Sequence, residues 1–224
     1  MRTCVFDLET SSLYANSGII LCASIQEFTY QKPKKSQIET ILVTPETFRF
    51  PEKNPDKVKN YVIRADRFKS WKHNKTDNSE VVKAIMDVLC GVEKTYQGEQ
   101  IHDGFDIFIA HNGQYFDKAW LNAAALKYGL RPRLRFEKFV DPYQIAKRHL
   151  RLARNSLAAL SDFFDIEESK TPIRFKYWME ASLNGDSKAL DYIVDHCVAD
   201  VEVLMSNYRI VRKLVKGVDE RGGL

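Results

Sequence analysis

The stretch TCVFDLET, residues 3–10, constrains the fold more than any other. Its apolar run demands burial, yet it runs straight into Asp7 and Glu9. On a strand, residues two apart project to the same face. The two carboxylates are therefore expected side by side at the end of a buried strand, where they repel each other and resist desolvation. Either that strand end lies at the surface, or a cation reverses the penalty. Two further Asp-x-Glu stretches occur, Asp165–Glu167 and Asp200–Glu202, and only Asp7–Glu9 directly follows a strand-like apolar run.

The rest of the chain alternates strand and helix signals. GIILCASIQEF and ETILVTPETF read as a second and a third strand, and three consecutive strands predict an antiparallel meander. Residues 48–78, rich in Lys, Asn, Asp and Pro, read as a long surface excursion with a short strand at YVIRAD. Ser79 reads as the N-cap of the helix EVVKAIMDVLCGV. FDIFIAHN is a strand, YFDKAWLNAAALKYG a helix with a Gly stop, and FEKFVD a short strand. PYQIAKRHLRLA opens with Pro at a first helical position, NSLAALSDFFDI is a short helix, and Asp186 caps the long helix SKALDYIVDHCVADVEVLMSNYRIVRKLV. This order predicts an α/β fold, a mixed sheet with helices on its faces, in a single domain over residues 1–224 with the excursion at about 45–78.

Composition narrows the function classes. With 44% hydrophobic and 29% charged residues, a sizeable core is available. Lys and Arg exceed Asp and Glu by 34 to 30, and a formal charge of +4 permits a polyanionic partner without demanding one. Cys4, Cys22, Cys90 and Cys197 form no CxxC pair, which predicts reduced thiols in a cytoplasmic protein. MRTCVFDLET reaches two acids within nine residues, so no secretory leader is expected. The longest apolar run, around Gly18 to Ser24, falls short of the roughly 20 residues that span a membrane.

Two other stretches carry candidate chemistry. In IAHNGQYFDKAWL a strand runs through His111, Asn112 and Gly113 into a helix whose first turn holds Asp117, where the helix dipole favours a carboxylate. Asn112 and Gly113 make the turn or offer polar groups and close backbone approach to a ligand. Phe116 reads as core rather than as a base-stacking platform. In DYIVDHCVADVEVL, placed at about 100° per residue, Leu190, Val194, Cys197, Val201 and Leu204 form one apolar stripe. Asp200 falls roughly 80° from its centre and His196 roughly 120°, on the same flank and one turn apart, while Tyr192 falls roughly 160° round and is expected to face solvent.

Asp and Glu on a first strand, Asp opening a helix after a later strand, and a helical Asp preceded by a titratable group together resemble the DEDD, or DnaQ-like, 3′–5′ exonuclease superfamily on a ribonuclease H-like fold. AHNGQYFD and DHCVADVEVL are most similar to the exonuclease domains of family B DNA polymerases and to stand-alone, phage-type nucleases. VDPYQIAKR followed by NSLAALSDFF resembles a segment of the same group. The resemblance implies a ribonuclease H-like mixed sheet in which Asp7, Glu9, Asp117 and Asp200 hold two divalent cations, Mg²⁺ or Mn²⁺. It implies His196 as the general base, a role for which an imidazole titrates in the right range. It implies contacts from Thr10, Asn112 and Phe116 to the terminal nucleotide of a single-stranded DNA, with RNA the alternative substrate. A polymerase or another replication or repair protein is the implied partner. Arg131, Arg133, Arg135, Lys147, Arg148, Arg151 and Arg154 could track a phosphate backbone, or could serve as a solubilising face. One departure stands out. The superfamily places Tyr four residues, or His five residues, before the last Asp; here His196 lies four before Asp200. A catalytically weak nucleic-acid-binding accessory module is the alternative function.

Overall fold

A computed structural model describes residues 1–45, 56–92, 104–131, 134, 138–167, 172 and 174–215. Six strands form one sheet: β1 (Thr3–Thr10), β2 (Ile20–Glu27), β3 (Ile38–Val43), β4 (Val58–Arg64), β5 (Ile107–Ile109) and β6 (Phe139–Val140), in the spatial order β3-β4-β2-β1-β5-β6. β1 pairs antiparallel with β2, and β2 antiparallel with β4; β3 runs parallel to β4, and β5 and β6 extend the other edge in parallel. The mixed α/β sheet expected from sequence is therefore present, with one change of membership. The third antiparallel strand is β4, not the third strand in sequence.

That change has a physical source. β4 includes the short strand expected at YVIRAD and extends it back through Lys59 and Asn60, which look like surface residues; both are buried, as is Arg64. Each has a partner there: Lys59 pairs with Glu39 on β3, Ser24 donates to Asn60 Oδ1 at 3.1 Å, and Arg64 reaches Asp66 at 2.7 Å and Asp191 at 2.6 Å. Buried polar groups are tolerated when paired. β4 thus fills the sheet interior, and β3 takes the edge with three of its six side chains half-buried and two exposed. Residues 46–55 of the expected excursion lie outside the described residues.

Seven α-helices cover the sheet among the described residues: α1 (Lys69–His73), α2 (Ser79–Cys90), α3 (Asp117–Lys127), α4 (Pro142–His149), α5 (Leu157–Phe163), α6 (Phe175–Met179) and α7 (Ser187–Val211). A π-helical turn, Glu180–Asn184, joins the last two. The Asp186 cap of α7 is as expected, its carboxylate accepting from the Ala189 N–H at 2.7 Å. Ser79, expected to cap α2, is instead its first residue: Asn78 holds the cap position, and its side chain is diverted to the backbone of Ile20, receiving the N–H at 2.5 Å and donating to the carbonyl at 3.1 Å. α1 and α6 had no clear sequence signal, since five residues are too few to show a 3.6-residue period.

The strand period divides the core. Cys4, Phe6 and Leu8 of β1 join one cluster with α2 and α3, and Val5 joins the other with Val201, Leu204 and Tyr208 of α7. Asp7 and Glu9 share the parity of Val5, so the sheet aims both carboxylates at the α7 face. No helix among the described residues is long and apolar enough to cross a membrane.

Candidate active site

β1 carries Asp7 opposite Ser24 and Glu9 opposite Cys22 on β2, with a register shift between Glu9 and Thr10 that ends the regular ladder at the acids. Across from them, α7 supplies His196 and Asp200. The His196 Nε2 lies 3.7 Å from Glu9 Oε1 and 3.9 Å from Asp200 Oδ2. Both carboxylates are 14% exposed, which leaves solvent a route to them. The Cys197 thiol donates to the Asp7 carbonyl at 3.4 Å, fixing α7 against the same strand.

Two expectations for α7 change. His196 is 3% exposed, not a flank residue. Tyr192 is half-buried: its ring stacks on Tyr177 with centroids 4.3 Å apart, and its hydroxyl donates to the Pro172 carbonyl. A helical wheel counts only the sheet as cover for α7. α6 packs there too, with Trp178 against His196 and Tyr177 against Tyr192.

Asp117 opens α3 at the same end of β1. β5 stops at Ile109, paired with Val5, so no strand follows β1 beyond that point on this edge. The Asp117 carboxylate lies near the Leu8 backbone at that end of β1. It is 3% exposed, and its Oδ1 has no hydrogen-bond partner among the described residues. Burial, reinforced by the nearby Asp141 carboxylate, pushes its carboxyl up to about 7, against the opposing backbone N–H bonds. An orphaned, desolvated carboxylate oxygen beside other acids is the donor chemistry a hard divalent cation takes. Among the described residues, however, no three His, Cys, Asp or Glu groups are drawn together as a formed metal cage.

The turn before α3 is held by a residue that sequence reasoning passed over. Asp141 caps α4, accepting from the Tyr143 N–H at 3.0 Å, and it also accepts from the Asn112 N–H at 2.8 Å. Asn112 sits in the left-handed region at φ 58°, which Asn tolerates better than most residues. The only sequence sign of this clamp is the Asp-Pro pair at the start of α4. Of the residues expected to touch substrate, Asn112 is exposed, Phe116 is half-buried against the core, and Thr10 donates from its hydroxyl to the Ser12 carbonyl at 2.8 Å. Arg131, Lys147, Arg148, Arg151 and Arg154 are exposed, whereas Arg133 and Arg135 lie outside the described residues. Trp178 on α6, absent from the sequence reading, donates from Nε1 to Glu9 Oε2 at 3.2 Å.

Gly113 is the tightest point of this turn. A Cβ there would stand 2.2 Å from the buried Ala110 Cβ and 3.1 Å from Asp117 Oδ2. Gly113→Ala is therefore expected to destabilise the protein by about 1–3 kcal/mol, the usual cost of overpacking. A thermal melt checks this, and an unchanged Tm would show that the turn yields freely.

Comparison with known proteins follows this geometry. A family model described as the RNase H superfamily matches residues 50–211, from before β4 to the end of α7. Among solved structures, the family B DNA polymerase of the hyperthermophilic archaeon Pyrobaculum calidifontis superposes with a TM-score of 0.58 at 14% identity. The match covers 96% of this chain and 24% of the polymerase, so the chain spans about a quarter of that protein. No curated protein matches the chain. The matched family region takes in Asp117, His196 and Asp200, three of the six strands (β4, β5 and β6) and all seven helices; the chain belongs to the RNase H superfamily.

Proposed function

We propose that this protein is a metal-dependent 3′–5′ exonuclease that hydrolyses phosphodiester bonds at the ends of single-stranded DNA. One observation carries the reading: His196 Nε2 lies within 3.9 Å of both Glu9 and Asp200 at the end of β1, and the buried Asp117 carboxylate lies near Leu8 at the same end. Membership of the RNase H superfamily supports nuclease chemistry in general, and the likeness to a family B polymerase supports the fold.

In this reading Asp7, Glu9, Asp117 and Asp200 hold two divalent cations, Mg²⁺ or Mn²⁺. When bound, such ions offset phosphate charge and lower the pKa of a coordinated water. The acids alone would repel a phosphodiester, so the substrate is taken up only by the cation-loaded protein. His196 orients the attacking water and accepts its proton at Nε2, the nitrogen that faces Glu9 and Asp200. Thr10, Asn112 and Phe116 contact the terminal nucleotide, with the exposed basic side chains of α4 and the segment after it along the strand. A polymerase or another replication or repair protein is the proposed partner.

The test uses single-stranded DNA and RNA, each labelled at the 5′ end, with Mg²⁺, Mn²⁺ or chelator. Stepwise shortening of DNA from the unlabelled 3′ end, lost in chelator and in Asp7→Ala, is the expected result. Faster shortening of RNA would reassign the substrate. Binding without cleavage under every condition would instead identify an accessory module.

A further inference from the structure

Resting on the exonuclease reading, the placement of Trp178 adds a residue to the site. It lies on α6, outside the elements that carry the acids, and it touches two site residues at once. Its indole N–H donates to Glu9 Oε2 at 3.2 Å, and its ring meets the His196 ring edge-on, with centroids 5.6 Å apart and planes at 82°. The same ring meets Tyr192 edge-on at 6.5 Å, and Tyr192 in turn stacks on Tyr177. The indole is thus wedged between β1 and α7.

His196 needs such a contact. A histidine's ring orientation is ordinarily set by a hydrogen bond at the nitrogen that does not perform the chemistry. Here Nδ1 is buried with no hydrogen-bond partner among the described residues, and Nε2 stands beyond hydrogen-bond reach of both Glu9 and Asp200. Packing has to orient the ring, and Trp178 is the aromatic side chain against it. Glu9, meanwhile, has Oε2 tied to the indole and Oε1 turned toward His196.

We propose that Trp178 is a positioning residue that holds Glu9 and His196 in register, its N–H fixing the carboxylate and its ring fixing the imidazole. It would act through these two residues and touch neither substrate nor the reacting atoms.

The experiment pairs Trp178→Phe, which keeps a ring and loses the N–H, with Glu9→Gln. Circular dichroism and a thermal melt first establish that each variant is folded. Mn²⁺ affinity is then measured by calorimetry in all four members of the cycle. Trp178→Phe is expected to weaken Mn²⁺ binding about tenfold in the wild-type background, the scale of a lost hydrogen bond to a charged group, and to leave the Glu9→Gln background unchanged. In turnover it is expected to lower kcat about tenfold or more with KM unchanged. Phe175→Ala, exposed on the same helix, serves as a control expected to match wild type. Equal weakening in both backgrounds, or none in either, overturns the proposal, as does wild type that binds no Mn²⁺. A protein that shows the expected calorimetric coupling but cleaves no substrate overturns the exonuclease reading and leaves the positioning role standing.

Discussion

His196→Ala is expected to lower kcat by about 10²–10⁴, the range that a general base contributes, with a much smaller change in KM. The argument is geometric. Among the described residues, His196 is the one imidazole set against both Glu9 and Asp200 at the end of β1, at 3.7 and 3.9 Å. Its removal opens a hole beside Trp178, so stability is measured alongside. His196→Tyr is the informative companion, because a phenol titrates some three units above an imidazole. If tyrosine at this position takes over as base, the variant keeps measurable activity and its pH–rate profile moves to higher pH. A larger ring in a 3%-exposed site also brings an overpacking cost of about 1–3 kcal/mol, read from the melt. Near-wild-type activity in His196→Ala would falsify the assignment of the base.

Asp117→Asn is expected to separate stability from activity. The carboxyl titrates near 7 in the folded protein and ordinarily near 3.8. The folded state therefore holds the proton more tightly than the unfolded one. Below about pH 4 both states are protonated and the group costs nothing; as pH rises from about 4 to 7 the unfolded chain ionises first, and stability is lost. A difference of about three units corresponds to at most about 4 kcal/mol, fully expressed above pH 7. Asparagine keeps the shape and a carbonyl oxygen without the charge. The metal-free variant should thus melt several degrees above wild type at pH 8, up to about 10 °C, and match it near pH 4. Added Mn²⁺ should narrow the gap at pH 8 by stabilising wild type more. Activity should fall at least 10–100-fold, the cost of losing even an outer partner of a metal ligand. A lower Tm for Asp117→Asn at pH 8 would mean that a nearby positive charge, not burial, governs this carboxyl.

Those two residues also mark how far local pattern reaches. The spacing of Asp7 and Glu9 on a strand, and of His196 and Asp200 on a helix, is a property of backbone periodicity alone, and the fold preserves both. The Asp186 cap and the Pro at the start of α4 are likewise local, since a cap concerns backbone groups within three residues. Failures occur where a partner lies far along the chain. Lys59 and Asn60 read as surface because their partners, Glu39 and Ser24, lie 20 and 36 residues away. Ser79 lost the capping role to Asn78, whose side chain answers Ile20, 58 residues distant.

By itself, then, the sequence determined the alternation of strands and helices, the faces on which the acids project, and the resemblance that those acids carry. Only the tertiary structure decided that β4 joins the sheet interior, that α6 sets Trp178 against His196 and Glu9, and that Asp117 is a desolvated carboxylate near the end of β1. The reason is common to all three. Periodicity reports which way a side chain points, whereas burial and electrostatics depend on what the rest of the chain brings to meet it.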